Sequence, residues 1–219
     1  MTNYKKDFFV NKILEWYQKN RESYPWRTDK DPYHILLAEI LLRKTDRKKV
    51  LKLYGSLINL YGSPQKMASV NISKLERLLR PLGLYSEKSH QLKKGAEIIC
   101  AEFNGEVPRN LGDLLKIPGV GNYTANAVLC FAYEFNVPLI DANLIRILKR
   151  YFNLEPKKSR EREDQRFWEF VKNLLPEGRG RDFYYGILDF TQKICRPRNP
   201  YCDKCPINGW CSYLSQKQS

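Results

Sequence analysis

Apolar residues recur at three- and four-residue intervals along most of the chain, and sustained two-residue alternation is hard to find. That period predicts helices over residues 5–20, 33–43, 47–61, 72–80, 87–103, 123–135, 143–152, 162–175 and 182–194. Chain breakers separate them: Tyr24-Pro25, Asp31-Pro32, Gly62-Ser63-Pro64, Pro81-Leu82-Gly83, Pro118-Gly119-Val120-Gly121, Pro138 and Pro176-Glu177-Gly178. No low-complexity tract, long linker or fixed-period repeat interrupts this order. The pattern predicts a compact all-α protein. One helix departs from the amphipathic rule, since residues 35–42 are apolar at every helical angle except at Glu39. A run this short does not cross a bilayer, which takes about 20 residues, and no membrane partner is expected.

Composition adds a partner class. The 219 residues, 42% of them hydrophobic, suffice for one large domain or two small ones. A net charge of +14 favours a polyanionic partner, although lysine-rich solvated faces give the same number. Clustering sharpens the reading: Arg43, Lys44, Arg47, Lys48, Lys49 and Lys52 crowd one segment, and Lys157, Lys158, Arg160 and Arg162 another. The N-terminal run MTNYKKDFFVNKILEWY has scattered charges and no small-residue cleavage site, so it reads as an amphipathic helix rather than a targeting signal. A cytoplasmic, nucleoid-associated location is expected.

Four cysteines follow in the spacing Cys195-x6-Cys202-x2-Cys205-x5-Cys211, within loops punctuated by Pro197, Pro200, Pro206 and Gly209. All-thiolate ligation suits one zinc ion or one [4Fe–4S] cluster, and the spacing alone leaves both open. Lys193, Arg196, Arg198 and Lys204 would offset the thiolate charge. A disulfide pair is the bland alternative. Cys100 and Cys130, inside apolar helix-like runs, read as buried small hydrophobes, and the cysteine usage as a whole as intracellular and metal-binding.

Three further signals carry chemistry. In Leu114-Leu115-Lys116-Ile117-Pro118-Gly119-Val120-Gly121-Asn122-Tyr123 a helix end, a Pro-Gly-Val-Gly turn and a new helix start make a hairpin. Its outward amides would cup an anion such as a DNA phosphate, although an ordinary helix–helix turn has the same residues. Asp141, in Leu139-Ile140-Asp141-Ala142-Asn143, stands where a helix N-cap would, and capping would also fix its carboxylate in direction. Glu39 must meet either the core or a cleft. Desolvation there would bring its carboxyl towards general-acid range, while a buried ion pair with Arg43 is the structural alternative.

The hairpin, the downstream Asp141 and the terminal C-x6-C-x2-C-x5-C together resemble the endonuclease III superfamily of helix-hairpin-helix DNA glycosylases, from Tyr24-Pro25-Trp26-Arg27 to Cys211. The resemblance implies a six-helix barrel over residues 28–135. It implies a second domain of residues 1–27 and 136–219 carrying a [4Fe–4S] cluster on Cys195, Cys202, Cys205 and Cys211, with DNA in the cleft between the two. Contacts to DNA would come from Gly119, Val120, Gly121, Arg43, Lys44, Leu84 and Asn143. Leu84 occupies the family's wedge position, and Lys44 would fill the space that the flipped nucleotide leaves.

Bifunctional members carry a lysine two residues after the hairpin's last glycine. Tyr123 stands there, so the chain looks like a monofunctional glycosylase with catalytic Asp141, Glu39 and Tyr123 and no strong lyase activity; Lys116 is out of register. Tyr24-Pro25-Trp26-Arg27, Asp31-Pro32-Tyr33 and Glu39 are shared with adenine glycosylases acting opposite 8-oxoguanine, which carry a further C-terminal domain and paired glutamines where Arg43-Lys44 stand here. The runs Glu-Ile-Leu-Leu-Arg-Lys-Thr, Val-Gly-Asn-Tyr-Thr and Ile-Asp-Ala-Asn look instead like the short mismatch-specific thymine-DNA glycosylases. The expectation is a monomeric base-excision enzyme that releases thymine or uracil opposite guanine in double-stranded DNA and hands an abasic site to a downstream endonuclease. An adenine glycosylase and a non-catalytic binder of distorted DNA are the alternatives.

Overall fold

A computed structural model describes residues 3–218, and every regular element among them is helical. The chain divides into two compact units, Met1–Glu22 with Phe135–Ser219, and Ser23–Glu134.

In the Ser23–Glu134 unit the helices are α2 (Pro25–Thr28), α3 (Pro32–Leu42), α4 (Arg47–Tyr61), α5 (Pro64–Ala68), α6 (Ile72–Leu79), α7 (Tyr85–Glu102), α8 (Leu111–Leu114) and α9 (Asn122–Phe131). The helix that is apolar all round, α3, is the central one, packed against α4, α7 and α9. Asp31 starts it by accepting from the amides of Tyr33 and His34 at 2.8 and 3.1 Å, with Pro32 preset in the first turn. Asp46, Ser63, Asn71 and Asn110 cap α4, α5, α6 and α8 in the same way. Residues 23–27 belong to this unit because Trp26 stacks on Tyr24 at 4.8 Å and meets Tyr54 edge-on at 5.3 Å.

The other unit contains α1 (Asn3–Asn20), α10 (Ala142–Phe152), α11 (Gln165–Lys172), α12 (Gly180–Lys193) and α13 (Ser212–Gln218). Phe9 on α1 is fully buried against Tyr151, Phe152 and Phe183, with ring centroids 4.9, 5.1 and 6.3 Å away. Gly186 lets α12 approach α1 closely: a side chain there would come within 3.1 Å of Ile13 and 3.2 Å of Tyr17.

The sequence period finds the long helices but extends 123–135 past its end at Phe131 and fuses a 3-10 turn (Glu161–Glu163) with α11. It misses α2, α5, α8 and α13. The first three have only four or five residues, too short for a 3.6-residue period to repeat. Among the described residues no helix is long and apolar enough to cross a membrane.

Candidate active site

The hairpin forms between α8 and α9. Gly119 takes φ +83°, a left-handed conformation that favours glycine, and a Cβ there would lie 2.7 Å from Gln91. Its carbonyl turns inward and accepts from Arg43 Nη1 at 2.6 Å, while Arg43 Nη2 donates to Gln91 and Glu87 at 3.0 and 3.1 Å. Arg43, expected from the sequence at the DNA, thus braces the hairpin from behind and keeps about a third of its side chain exposed. Val120 is 8% exposed and donates its amide to the Ile117 carbonyl at 3.0 Å, so it builds the turn rather than offering an amide outward. Gly121 gives α9 no side-chain cap, which leaves the helix start open towards an anion. Tyr123 follows, half-buried in the first turn of α9. Lys116 pairs with Asp113 at 2.7 Å, and that carboxylate holds the ammonium protonated, contrary to what a nucleophilic amine needs.

Glu39 is 9% exposed on α3. Lys44 and Leu84 are both exposed and both left-handed, at φ +51° and +49°. They occupy the two turns that flank α3 and α7, and Thr45 joins those turns through a bond to the Leu82 carbonyl at 3.2 Å. Sequence reasoning missed the group behind them, Lys88, which is fully buried on α7.

In the other unit Asp141 caps α10. One carboxylate oxygen accepts from the Leu144 amide at 2.7 Å and the other from Asn143 Nδ2 at 2.8 Å. Asn143 Oδ1 in turn accepts from Arg146 Nη2 at 3.1 Å, and Arg146 also donates to the carbonyls of Thr191 and Cys195 at 3.2 Å. One turn on, Arg150 donates to the carbonyls of Arg196 and Pro197 at 2.7 and 2.9 Å and to Cys195 Sγ at 3.5 Å. These two arginines, spaced four apart on one face of α10, tie the cysteine loop to the helix that Asp141 starts. Their spacing is visible in the sequence, but their targets are not. An open groove of about 680 Å³ beside Asn143 is lined by Arg146, Arg196 and Arg198 with Thr191, Gln192 and Asn199.

The four cysteines, none of them in a disulfide, surround one small cavity whose remaining walls include Ile147, Tyr151, Phe190, Ile194 and Ile207. Burial pushes the Cys205 thiol up to about 12 and raises that of Cys211, opposed by the Ile207 amide at Cys205 and by the Leu214 and Tyr213 amides at Cys211. Among the described residues, no three Cys, His, Asp or Glu are gathered as a single metal ion requires. An all-sulfur donor set around a shared apolar cavity, with amides aimed at sulfur, fits a sulfur-ligated metal group. Of the two cysteines read as hydrophobes, Cys130 is buried and Cys100 half-buried.

This arrangement matches a known family over residues 37–173, that of HhH-GPD superfamily base excision DNA repair proteins. The chain belongs to that superfamily. A thymine/uracil-DNA glycosylase of Methanothermobacter thermautotrophicus is 37% identical over 98% of this chain and 97% of its own. An adenine DNA glycosylase of Buchnera aphidicola is 32% identical over 95% of this chain but 60% of its own. The solved structure of a thermostable thymine-DNA glycosylase, 36% identical, superposes with a TM-score of 0.93 over 98% of both chains. A non-covalent endonuclease III–DNA complex shares the fold at 23% identity, with a TM-score of 0.84 over 100% of this chain and 99% of that one. The HhH-GPD protein is accordingly a base-excision DNA N-glycosylase, a hydrolase that binds DNA.

Proposed function

We propose that this glycosylase is monofunctional and releases thymine or uracil mispaired with guanine from double-stranded DNA. The observation that carries the first half is Tyr123 in the first turn of α9, where an attacking amine would have to stand. The second half is supported by likeness along nearly the whole chain to glycosylases of thymine and uracil.

Binding begins with phosphate. The open N-terminus of α9 and the arginine-lined groove grip the backbone without reading sequence, a term that weakens as salt rises. Leu84 enters the stack as the target nucleotide turns out, and Lys44 supports the opened duplex. A wobble pair costs less to open than a matched one, so part of the selectivity precedes any pocket.

As the base departs with the bonding electron pair, positive charge develops on the deoxyribose. The Asp141 carboxylate, held in direction by Leu144 and Asn143, stabilises that cation and orients the attacking water. Water supplies the hydroxyl that replaces the base at C1′, and its proton leaves to solvent or to the departing base. Glu39 meets the base or the water as acid–base partner, and Tyr123 lines the sugar pocket.

The four cysteines are the ligands of a [4Fe–4S] cluster on this reading. Bound there, a cluster would cross-link and stiffen the loop that Arg146 and Arg150 hold, and no hydrolytic task is assigned to it. Brown colour with broad absorbance near ~400 nm distinguishes it from colourless zinc.

The experiment is a single-turnover incubation with duplexes carrying T:G, U:G or A:8-oxoguanine, each followed by alkali. Strand cleavage at T:G and U:G only after alkali is expected. Cleavage confined to A:8-oxoguanine overturns the base assignment, and cleavage without alkali overturns the monofunctional one.

A further inference from the structure

Lys88 is an ammonium with no exposed surface, one turn into α7. Water is a better home for it, and the first turn of a helix, with its positive dipole end, is a poor place for a cation. Arg43 adds a second positive charge nearby, which Glu87 opposes. An apolar side chain would fill the same volume at lower cost.

What the ammonium gains is a set of acceptors drawn from segments far apart in sequence. It donates to the Leu41 carbonyl at 2.7 Å, at the C-terminal end of α3, and to the Thr45 hydroxyl. With its oxygen accepting from Lys88, the Thr45 hydroxyl directs its one hydrogen towards two carbonyls, that of Arg43 in its own turn at 3.1 Å and that of Leu82 in the other turn at 3.2 Å. The backbone amide of Lys88 meanwhile donates to the Leu84 carbonyl at 2.9 Å. One residue thus touches the end of α3, the turn that carries Lys44 and the turn that carries Leu84.

Those turns are the strained ones. Lys44 and Leu84 both have a Cβ and both sit in the left-handed region, which L side chains disfavour. Such conformations persist only where the surroundings over-determine them. A cap on α3 alone would need just the Leu41 bond; the Thr45 branch has no part in capping.

The geometry points to Lys88 as a positioning residue for the glycosylase reaction: through Thr45 it locks the 43–46 and 82–84 turns against α3 and so fixes how Lys44 and Leu84 meet the duplex. It acts on extrusion of the nucleotide, not on bond cleavage. The inference rests on the reading that Leu84 enters the base stack.

The test compares single-turnover excision of thymine opposite guanine with excision of thymine opposite a tetrahydrofuran abasic analogue, where no pair has to be opened. Lys88→Met and Thr45→Val should slow the first by about tenfold or more and leave the second within about twofold, and Thr45→Ser should restore the first. If Lys88→Met does not fold, the Thr45 pair decides. Equal slowing of both substrates, or of neither, in Thr45→Val assigns the network to stability and overturns the inference. Leu84→Ala separates the two failures. A selective loss there with none in Thr45→Val sinks only the role of Lys88, whereas no selective loss in Leu84→Ala sinks the wedge reading itself.

Discussion

Asn143 donates to the Asp141 carboxylate at 2.8 Å while its own carbonyl oxygen accepts from Arg146. The carboxylate that starts α10 is therefore aimed by a side chain that is itself held in place. The capping role and the proposed catalytic role are separable here. Asparagine caps a helix about as well as aspartate, so Asp141→Asn should leave thermal stability within about 1 kcal/mol of the parent. It should also leave DNA affinity intact while base release falls by about a hundredfold or more, as expected when charge is removed beside a developing cation. Thermal melting, equilibrium binding and single-turnover cleavage check the three parts. Full activity would reduce Asp141 to a cap.

Arg43 offers a second separation. If it bound a phosphate directly, Arg43→Met would lower the slope of log affinity against log salt by about 0.9. Its contacts with Gly119, Gln91 and Glu87 make it a brace instead. The expected result is weaker binding at every salt concentration with the slope unchanged, measured by fluorescence anisotropy over a salt series.

The contrast between Arg43 and Asp141 shows what the sequence discloses. Asp141 is legible because capping is local: the aspartate, its amide partner and Asn143 lie within four residues. Long helices are legible for the same reason, since 18 residues of α1 or α7 repeat the period several times. Lys88 gives no signal in the sequence because its neighbours in Ser86-Glu87-Lys88-Ser89 are polar, and Arg43 reads there as a DNA contact or a partner for Glu39. The bonds that hold them come from segments distant in sequence, Gly119 lying 76 positions from Arg43 and Leu41 lying 47 positions from Lys88. The cysteine spacing announces a sulfur site, but the tie from that loop through Arg146 to Asn143 exists only in three dimensions.

Lys88 makes a pH prediction whose sign is fixed. Burial first, and then the charge of Arg43, lower its ammonium from 10.5 to about 8 in the folded protein. Below pH 8 both folded and unfolded chains hold the proton and this group adds no slope. Between about 8 and 10.5 the unfolded chain binds more protons, so the penalty for burying the charge is relieved and stability rises with pH, by roughly 1–3 kcal/mol over the window. Other lysines titrate higher, and the difference between parent and Lys88→Met isolates the contribution. Urea unfolding at half-unit steps from pH 7.5 to about 10 should show the rise in the parent and its absence in the variant; parallel curves would mean that the ammonium is not desolvated.

On the proposed reading Tyr123 sets hydrolysis against covalent chemistry, and a single substitution tests whether it faces the sugar. In Tyr123→Lys an amine would stand in the first turn of α9, whose N-terminus has no side-chain cap. The positive end of the helix dipole disfavours the ammonium and lowers the amine's pKa, which raises the fraction of free nucleophile. Attack at C1′ displaces the base with its bonding electrons, and loss of the amine protons with ring opening gives an imine between lysine and sugar. Borohydride reduces that imine to a stable amine, so protein and DNA migrate together on a denaturing gel. The parent enzyme should give no such band and the variant a clear one on a T:G duplex. If the variant still excises thymine but forms no adduct, its amine does not reach C1′, and Tyr123 is then a wall of the site that lies away from the sugar.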